Sequence, residues 1–280
     1  AGGVGRMADE APAEGEEEEQ PEEINEETIA SGLSGLDKTR DGKSIVMTKL
    51  DLPSRRLGDL TPLALLGHLR HIDVSGNLVK DLSPLLGLDQ ILSLNASGNK
   101  LESVSLPAMP HLQLLDLSNN LIKGTFECPD MPCLRHLLLG QNQIEGAVGL
   151  DKNTQLQRLE FHQNKLTNCE GIGLPSVRHL TLEGNELTDV KGLEKVSLIT
   201  ALDLKGNQLA NIEEVVAAMP EGVKDLDLQE NPLMEELDRV KVLVLMQRLK
   251  VLNAAPITEE EAAAADLIIN PPPAEDAAPA

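Results

Sequence analysis

The sequence predicts an α/β solenoid, and three observations predict it: a leucine frame that recurs at near-constant spacing, a second apolar rhythm of three residues between the frames, and an unbroken run of both through most of 280 residues. The frame is L-x-x-L-x-L-x-x-N-x-L. Its ninth position falls at Arg55, Asn77, Asn99, Asn120, Asn142, Asn164, Asn185, Asn207 and Asn231, in steps of 22, 22, 21, 22, 22, 21, 22 and 24 residues. So regular a period marks stacked units that bury their apolar faces against one another. The expected architecture is a leucine-rich-repeat arc of about nine repeats, with a parallel concave sheet, a 3₁₀ or short-helix convex side, and a cap at each end.

Residues 1–23 are rich in Gly, Ala, Glu and Pro and are expected to be a disordered acidic tail. Met7-Ala-Asp-Glu reads like a natural start, so Ala1–Arg6 read as an upstream extension. Gly2-Gly3-Val4-Gly5 follows no strand and is not a phosphate loop. Residues 24–44 are expected to form the N-terminal cap, with a short helix from Asn25 that places Ile29, Leu33 and Leu36 on one side before a turn at Asp41-Gly42. A parallel sheet needs such a cover, because its first strand has unpaired backbone groups.

The array is assigned to 45–232. In the frame Leu156, Leu159, Phe161, Asn164, Leu166, the segment around Leu159 and Phe161 is a short strand whose alternate residues point inward. Asn164 ends it, and its amide is expected to bond the neighbouring turn, so that stacked copies form a ladder. Arg55 lacks that amide, and the ladder is expected to begin one repeat later. Leu57, Leu60, Leu63 and Leu66 recur every three residues, as do Val79, Leu82, Leu85 and Leu88, and Leu187, Val190, Leu193 and Val196. That is the 3₁₀ period and predicts short 3₁₀ turns on the convex side. Pro107, Pro110, Pro129 and Pro132 predict irregular loops within 100–133. Beyond Asn231-Pro232, residues 233–258 are expected to cap the array, with Leu237, Val240, Val244 and Met246 on a helix and Leu249–Leu252 as a last strand. Residues 259–280 are assigned to an acidic, Pro- and Ala-rich tail.

The formal charge of −22 is concentrated at the ends. Residues 1–27 hold eleven acids and one base, 257–280 six acids and no base, and the middle 29 acids and 23 bases. An acidic body with acidic ends does not suit a nucleic acid or an anionic membrane. With no Trp or Tyr, and Phe126 and Phe161 as the two aromatics, the chain also lacks rings on which bases stack. Cys128, Cys133 and Cys169 are an odd number, the Glu-rich N-terminus has no signal-peptide h-region, and no apolar run reaches transmembrane length. The expectation is buried, inert thiols in a reducing, cytoplasmic compartment rather than zinc ligands, since Cys128 and Cys133 have no second Cys/His pair.

The concave face is read from the frame positions that point away from the core. Position five gives Asp51, Asp73, Asn95, Asp116, Leu138, Glu160, Thr181, Asp203 and Asp227, an acidic lane with gaps. Position two gives Arg70, Arg135, Arg178 and Lys224, and position three Lys49, His71, His136, Arg158 and His179, a basic lane beside it. Position seven adds His162 and Glu183. With strands about 4.8 Å apart, each lane is a charge ladder. The lanes either satisfy each other as surface ion pairs or form a docking face for an extended, mixed-charge partner. On the second reading the face is the partner-binding site. Three histidines do not converge on it, so no metal is expected. His71 with Asp73, and Glu160 with His162, lack a nucleophile and a water-excluding pocket. Ser75 shares the first strand, but an open sheet offers no oxyanion site. No catalysis, cofactor or small-molecule substrate is expected.

Repeats of 22 residues with a 3₁₀ convex side resemble the class that includes a phosphatase regulator, an outer-arm dynein light chain and a spliceosomal protein. A closer resemblance lies in Leu36-Asp-Lys-Thr39, Lys49-Leu-Asp-Leu52, Arg56-Leu-Gly-Asp-Leu60, His68-Leu-Arg-His-Ile-Asp-Val74 and Asp81-Leu-Ser-Pro-Leu85, with Met246-Gln-Arg-Leu249, Thr258-Glu-Glu-Glu261 and Ala265-Asp-Leu-Ile268 at the other end. Over about residues 30–268 these are similar to the leucine-rich-repeat protein of the ciliary radial spoke. The chain departs from that pattern at Asp238-Arg239 and Leu252-Asn253, in the C-terminal cap. The resemblance implies a non-catalytic scaffold subunit of the axoneme of motile cilia or flagella, part of the cytoskeleton, whose partners are other spoke proteins. The alternative it leaves is a regulatory subunit of a protein phosphatase or a dynein light-chain-like adaptor.

Overall fold

A computed structural model describes residues 20–39 and 41–271; the expected disorder of residues 1–19 and 272–280 lies outside the described residues. Within the expected tail 1–23, Glu22 is already tied to the array: its N–H donates to the Arg56 carbonyl at 2.9 Å and it bridges to Leu57. The N-terminal cap differs from the expectation. Helix α1 (Glu26–Gly32), capped by the Asn25 side chain on Thr28 N–H at 2.8 Å, stops at Gly32. Leu33 and Leu36 belong instead to strand β1 (Leu33–Lys38), which pairs antiparallel with β2 (Ile45–Asp51). Glycine is costly in a helix interior, and a Cβ on Gly32 would lie 2.6 Å from the Asp51 carbonyl oxygen. The segment therefore leaves the helix there and supplies the backbone partner the open sheet end requires. Leu36 is left 73% exposed.

Short strands then follow: β3 (His71–Asp73), β4 (Ser93–Asn95), β5 (Leu114–Asp116), β6 (Lys123–Glu127), β7 (His136–Leu138), β8 (Gln143–Val148), β9 (Arg158–Glu160), β10 (His179–Thr181), β11 (Ala201–Asp203), and, after helix α2 (Ile212–Ala217), β12 (Asp225–Asp227). Helix α3 (Arg239–Leu245), β13 (Val251–Leu252), β14 (Ala255–Pro256) and helix α4 (Glu259–Ile269) close the chain. All the strands but β6 and β8 form one twelve-stranded sheet in chain order, parallel from β2 to β13.

The leucine frame builds the core. Leu156, Leu159, Phe161 and Leu166 are fully buried, and the same positions are buried in the other repeats except at Met47 of the first. Each such side chain contributes roughly 1.5–3 kcal/mol of burial. The ninth-position amides bind the repeats together. Asn77 Nδ2 donates to Val74 O in its own repeat (2.8 Å) and Leu52 O in the preceding one (2.9 Å), while Oδ1 accepts from Leu57 N–H (3.0 Å). The pattern recurs up to Asn231, which donates to Leu228 and Leu204 and accepts from Leu209. The ladder starts at Asn77 and not at Arg55, which is exposed. Beside it a second ladder of backbone bonds runs along the flank, through Leu78 N–H to Leu57 O, Lys100 to Val79, Leu121 to Leu101, Gln143 to Ile122 and Lys165 to Ile144.

A recurrent turn on the convex side begins four places after the ninth frame position. Asp59, Asp81, Asn168, Asp189 and Asn211 stand there in five repeats, each accepting the N–H two residues on. Four of these turns lead into the 3₁₀ segments Thr61–Leu65, Ser83–Leu85 and Leu193–Lys195 and helix α2. Glycine stands there in two repeats, as Gly124 and Gly146. Those two segments extend into β6 and β8, a parallel pair with an extra residue in β8. The irregular loops expected over 100–133 are thus irregular at 102–109 and sheet-forming at 123–127.

The C-terminal cap is longer than expected. Residues 259–269, assigned to the tail, are helix α4. Thr258 and Glu261 form a reciprocal capping box, and Arg239 Nε donates to Glu261 Oε1 at 2.6 Å and its NH1 to Leu252 O at 2.9 Å. The Arg239 hydrogen bond holds the Glu261 carboxyl down at about 2. On α3 the fully buried pair is Val242 and Leu243; Leu237, Val240, Val244 and Met246 are partly buried around it. The departures at Asp238 and Asn253 have structural roles: Asp238 caps α3 through Val240 N–H (2.9 Å), and Asn253 Oδ1 accepts from Leu228 N–H (2.8 Å). Burial pushes the thiols of Cys128 and Cys169 up to about 11 and about 12. Cys133 is exposed, contrary to expectation, because Leu134 takes the inward position beside it. No helix among the described residues is long and apolar enough to cross a membrane.

Candidate partner-binding face

The parallel pairing places the position-five residues side by side without a slip: Asp51, Asp73, Asn95, Asp116, Leu138, Glu160, Thr181, Asp203 and Asp227. Position three runs beside it as Lys49, His71, Ser93, Leu114, His136, Arg158 and His179. The two rows are continuous in register, while their charges are broken at Asn95, Leu138 and Thr181 in one and at Ser93 and Leu114 in the other. How their charges are used is a different matter.

Most of the acidic lane is committed first to backbone. Oδ1 of Asp73, Asp116, Asp203 and Asp227 accepts the N–H two residues on, from Ser75, Ser118, Lys205 and Gln229, at 2.9–3.0 Å. Asn95 does the same for Ser97 at 3.1 Å. These are Asx turns that end each strand and start the ladder loop. One carboxylate oxygen of each is thus occupied, and the other is left for a partner. The signal was present in the sequence as Asp73-x-Ser75, Asn95-x-Ser97 and Asp116-x-Ser118, but a charge-lane reading passes over it.

Ion pairing is confined to a few places. Lys49 meets Asp51 at 2.7 Å. Arg158 Nη2 meets Glu160 Oε1 at 2.5 Å, and His179 Nε2 stands 3.7 Å from the same oxygen, so Glu160, 9% exposed, is paired with Arg158 and flanked by an imidazole. Arg70 is drawn away from the basic lane: it pairs with Asp37 of β1 and bonds Lys38 O, fastening the N-terminal hairpin. His71 Nδ1 is 2.8 Å from Ser93 Oγ, with Asp73 Oδ1 already held by Ser75 N–H, so these groups form no relay. His162 lies over Gly140, where a Cβ would meet the imidazole at 2.1 Å, and Thr181 Oγ1 is 3.5 Å from its Nδ1. His136 sits on β7 between Leu114 and Arg158. Glu183, half-buried, gives its carbonyl to Gln163 N–H. Arg135, Arg178 and Lys224 stand exposed one or more residues before their strands, with no ion pair among the described residues. Among the described residues no three His, Cys, Asp or Glu are grouped as metal ligands.

Two apolar features mark the face. Leu114 and Leu138, both half-buried, interrupt the charge rows at mid-array. At the N-terminal end the hairpin adds Leu36, Ile45 and Met47, which are 73%, 69% and 47% exposed, with Leu36 and Met47 directly paired. The face is a long open surface with fixed charge rows and apolar steps, suited to a macromolecular partner and poorly suited to enclosing a small substrate.

The fold has solved counterparts. An internalin of Listeria monocytogenes superposes with a TM-score of 0.60 at 25% identity, covering 72% of this chain and 59% of that one. This is a leucine-rich-repeat solenoid. A leucine-rich-repeat protein of Leptospira interrogans superposes on it with a TM-score of 0.53 at 21% identity, covering 73% of this chain and 60% of that one. In sequence the solenoid is similar to leucine-rich repeat-containing protein 23 of human (35% identical over 135 residues), cattle (36% over 140) and mouse (37% over 141). The matched stretch is 48–49% of this chain and 39–41% of each of those proteins, so it spans about two fifths of the relatives' length. No family model matches. Fold and relatives together support a protein-interaction scaffold.

Proposed function

We propose that this solenoid is a non-catalytic structural subunit of the axonemal radial spoke, which binds other spoke proteins through its concave face and supports ciliary or flagellar motility. The observation that carries the proposal is the similarity of its segments Leu36–Thr39, Arg56–Leu60 and His68–Val74 to the radial-spoke leucine-rich-repeat family. The identity of 35–37% with leucine-rich repeat-containing protein 23 over about half the chain lends support. In this reading the protein resides in the axoneme, and Arg135, Arg158, Arg178, Lys224 and the outward oxygens of Asp116, Asp203 and Asp227 meet an extended, mixed-charge surface. The rival is a phosphatase regulatory subunit. The acidic row fits it, and the lack of Trp and Tyr speaks against the aromatic contacts of that class.

The test is fractionation of purified axonemes followed by affinity capture on the full chain. The expected result is co-purification with spoke proteins, weakened by reversing Arg135 and Arg178 to Glu. Absence from every spoke fraction, or capture of a phosphatase catalytic subunit without spoke proteins, would contradict it.

A further inference from the structure

The short sheet on the convex side has an edge that nothing in the described chain completes. In β6 the even residues face β8: Gln143 N–H donates to Ile122 O, and Cys128 N–H to Val148 O. Strand alternation then turns the backbone groups of Lys123, Thr125 and Glu127 the other way. Lys123 N–H confirms this, since it donates to Glu102 O at 3.2 Å on the opposite side. That bond begins a third strand, but residues 103–106 then diverge. Thr125 and Glu127 have no backbone partner on that side among the described residues. Between residues 103–106 and β6 lies a groove of about 580 Å³, with Val104 and Leu106 on one wall. Its lining includes Lys123 and Lys152 together with the acidic residue Glu127. Lys123 reaches Glu102 at 3.4 Å with both groups exposed, and Lys152 has no acidic partner among the described residues.

We propose that the open edge of β6 docks an extended, acidic segment of a partner protein, which adds to β6 as a strand. Two donor–acceptor pairs at alternate residues match the repeat of an extended backbone. Val104 and Leu106 offer apolar contact to its side chains, and Lys152, which has no ion pair among the described residues, selects an acidic residue beside it. This sheet is separate from the one that carries the concave charge rows. A scaffold of this shape therefore holds two partners at once, whichever assembly it serves.

The probe is a nine-residue peptide of alternating valine and threonine with glutamate at both ends, added to the full chain and followed by amide hydrogen exchange. In the free chain Thr125 and Glu127 exchange faster than Phe126. At ten times Kd the peptide slows both about tenfold and leaves Phe126 unchanged. Lys152→Glu, a surface change, weakens binding about fivefold, the scale of one exposed ion pair. The same peptide ended by lysines binds more weakly than the glutamate form. Thr125 and Glu127 already as slow as Phe126 in the free chain would mean that residues 103–106 close the edge, and would overturn the proposal. So would a peptide that protects neither amide, or lysine ends that bind as well as glutamate ends.

Discussion

Two kinds of repeat share one concave sheet and differ on the convex side. Where Asp or Asn stands four places after the ladder amide, as at Asp59, Asp81, Asp189 and Asn211, its side chain caps the next turn and the chain coils into a 3₁₀ or α segment. Where glycine stands there, as at Gly124 and Gly146, no side chain closes the turn and the segment runs on as strand. The concave side is therefore dictated by the leucine frame and its amides, which are common to both kinds. The convex side differs from repeat to repeat with the residue at that position, as Asp59, Asp81, Asp189 and Asn211 differ from Gly124 and Gly146. A scaffold gains from this separation: one surface stays regular while the other acquires a local feature, here the β6 edge.

The comparison is broken most severely by damaging what the two kinds share. Leu159→Ala should cost roughly 2–5 kcal/mol and should loosen the repeats on both sides of β9, because each unit contacts its neighbours. Chemical unfolding with exchange measured repeat by repeat checks this. Next comes the cap that the coiling repeats rely on. Asp189→Ala removes the acceptor of Lys191 N–H and should cost about 1 kcal/mol; an unchanged midpoint would show that the turn forms without it. The two glycines then separate. Gly124 has φ +70, so Gly124→Ala should destabilise by about 1–2 kcal/mol. Gly146 has no positive φ, and its Cβ would lie 3.9 Å from Thr125 Oγ1. Gly146→Ala should therefore be neutral or stabilising by up to about 1 kcal/mol. Equal effects at the two sites would mean that position, not conformation, governs the strand.

A separate expected effect is that of pH on the C-terminal cap. The folded chain holds Glu261 at about 2, below its ordinary value of 4.5, through Arg239 and Thr258. A depressed carboxyl stabilises above its unfolded value and loses that contribution as pH falls from there through the folded one. The docking of α4 should weaken between about pH 4.5 and pH 2, and Glu261→Gln should remove that part of the acid dependence.

Much of this was legible in the sequence, for identifiable reasons. The frame fixed the strands and the register, since a period of 22 leaves a single way to stack the leucines, and the nine position-five residues are neighbours as the frame requires. The start of the amide ladder at Asn77 followed from the chemistry of Arg55. The N-terminal cap was misread because Ile29, Leu33 and Leu36 have helical spacing, while the competing demand, a partner for the exposed sheet end, is tertiary. Helix α4 has an acidic, alanine-rich composition like that of a tail, and its one local signal in the sequence is the capping box Thr258-x-x-Glu261. On the candidate face the rows were legible but their use was not. That Asp73, Asp116, Asp203 and Asp227 serve their own turns depends on the backbone reversing two residues later.

The central claim is that one buried row of asparagine amides ties the repeats into a single in-register array. Side-chain amide exchange of Asn77, Asn99, Asn120, Asn142, Asn164, Asn185, Asn207 and Asn231, measured in the intact chain against exposed Asn119, tests it most directly. The account predicts that all eight exchange far more slowly than Asn119; ladder amides that exchange as fast as Asn119 would contradict it.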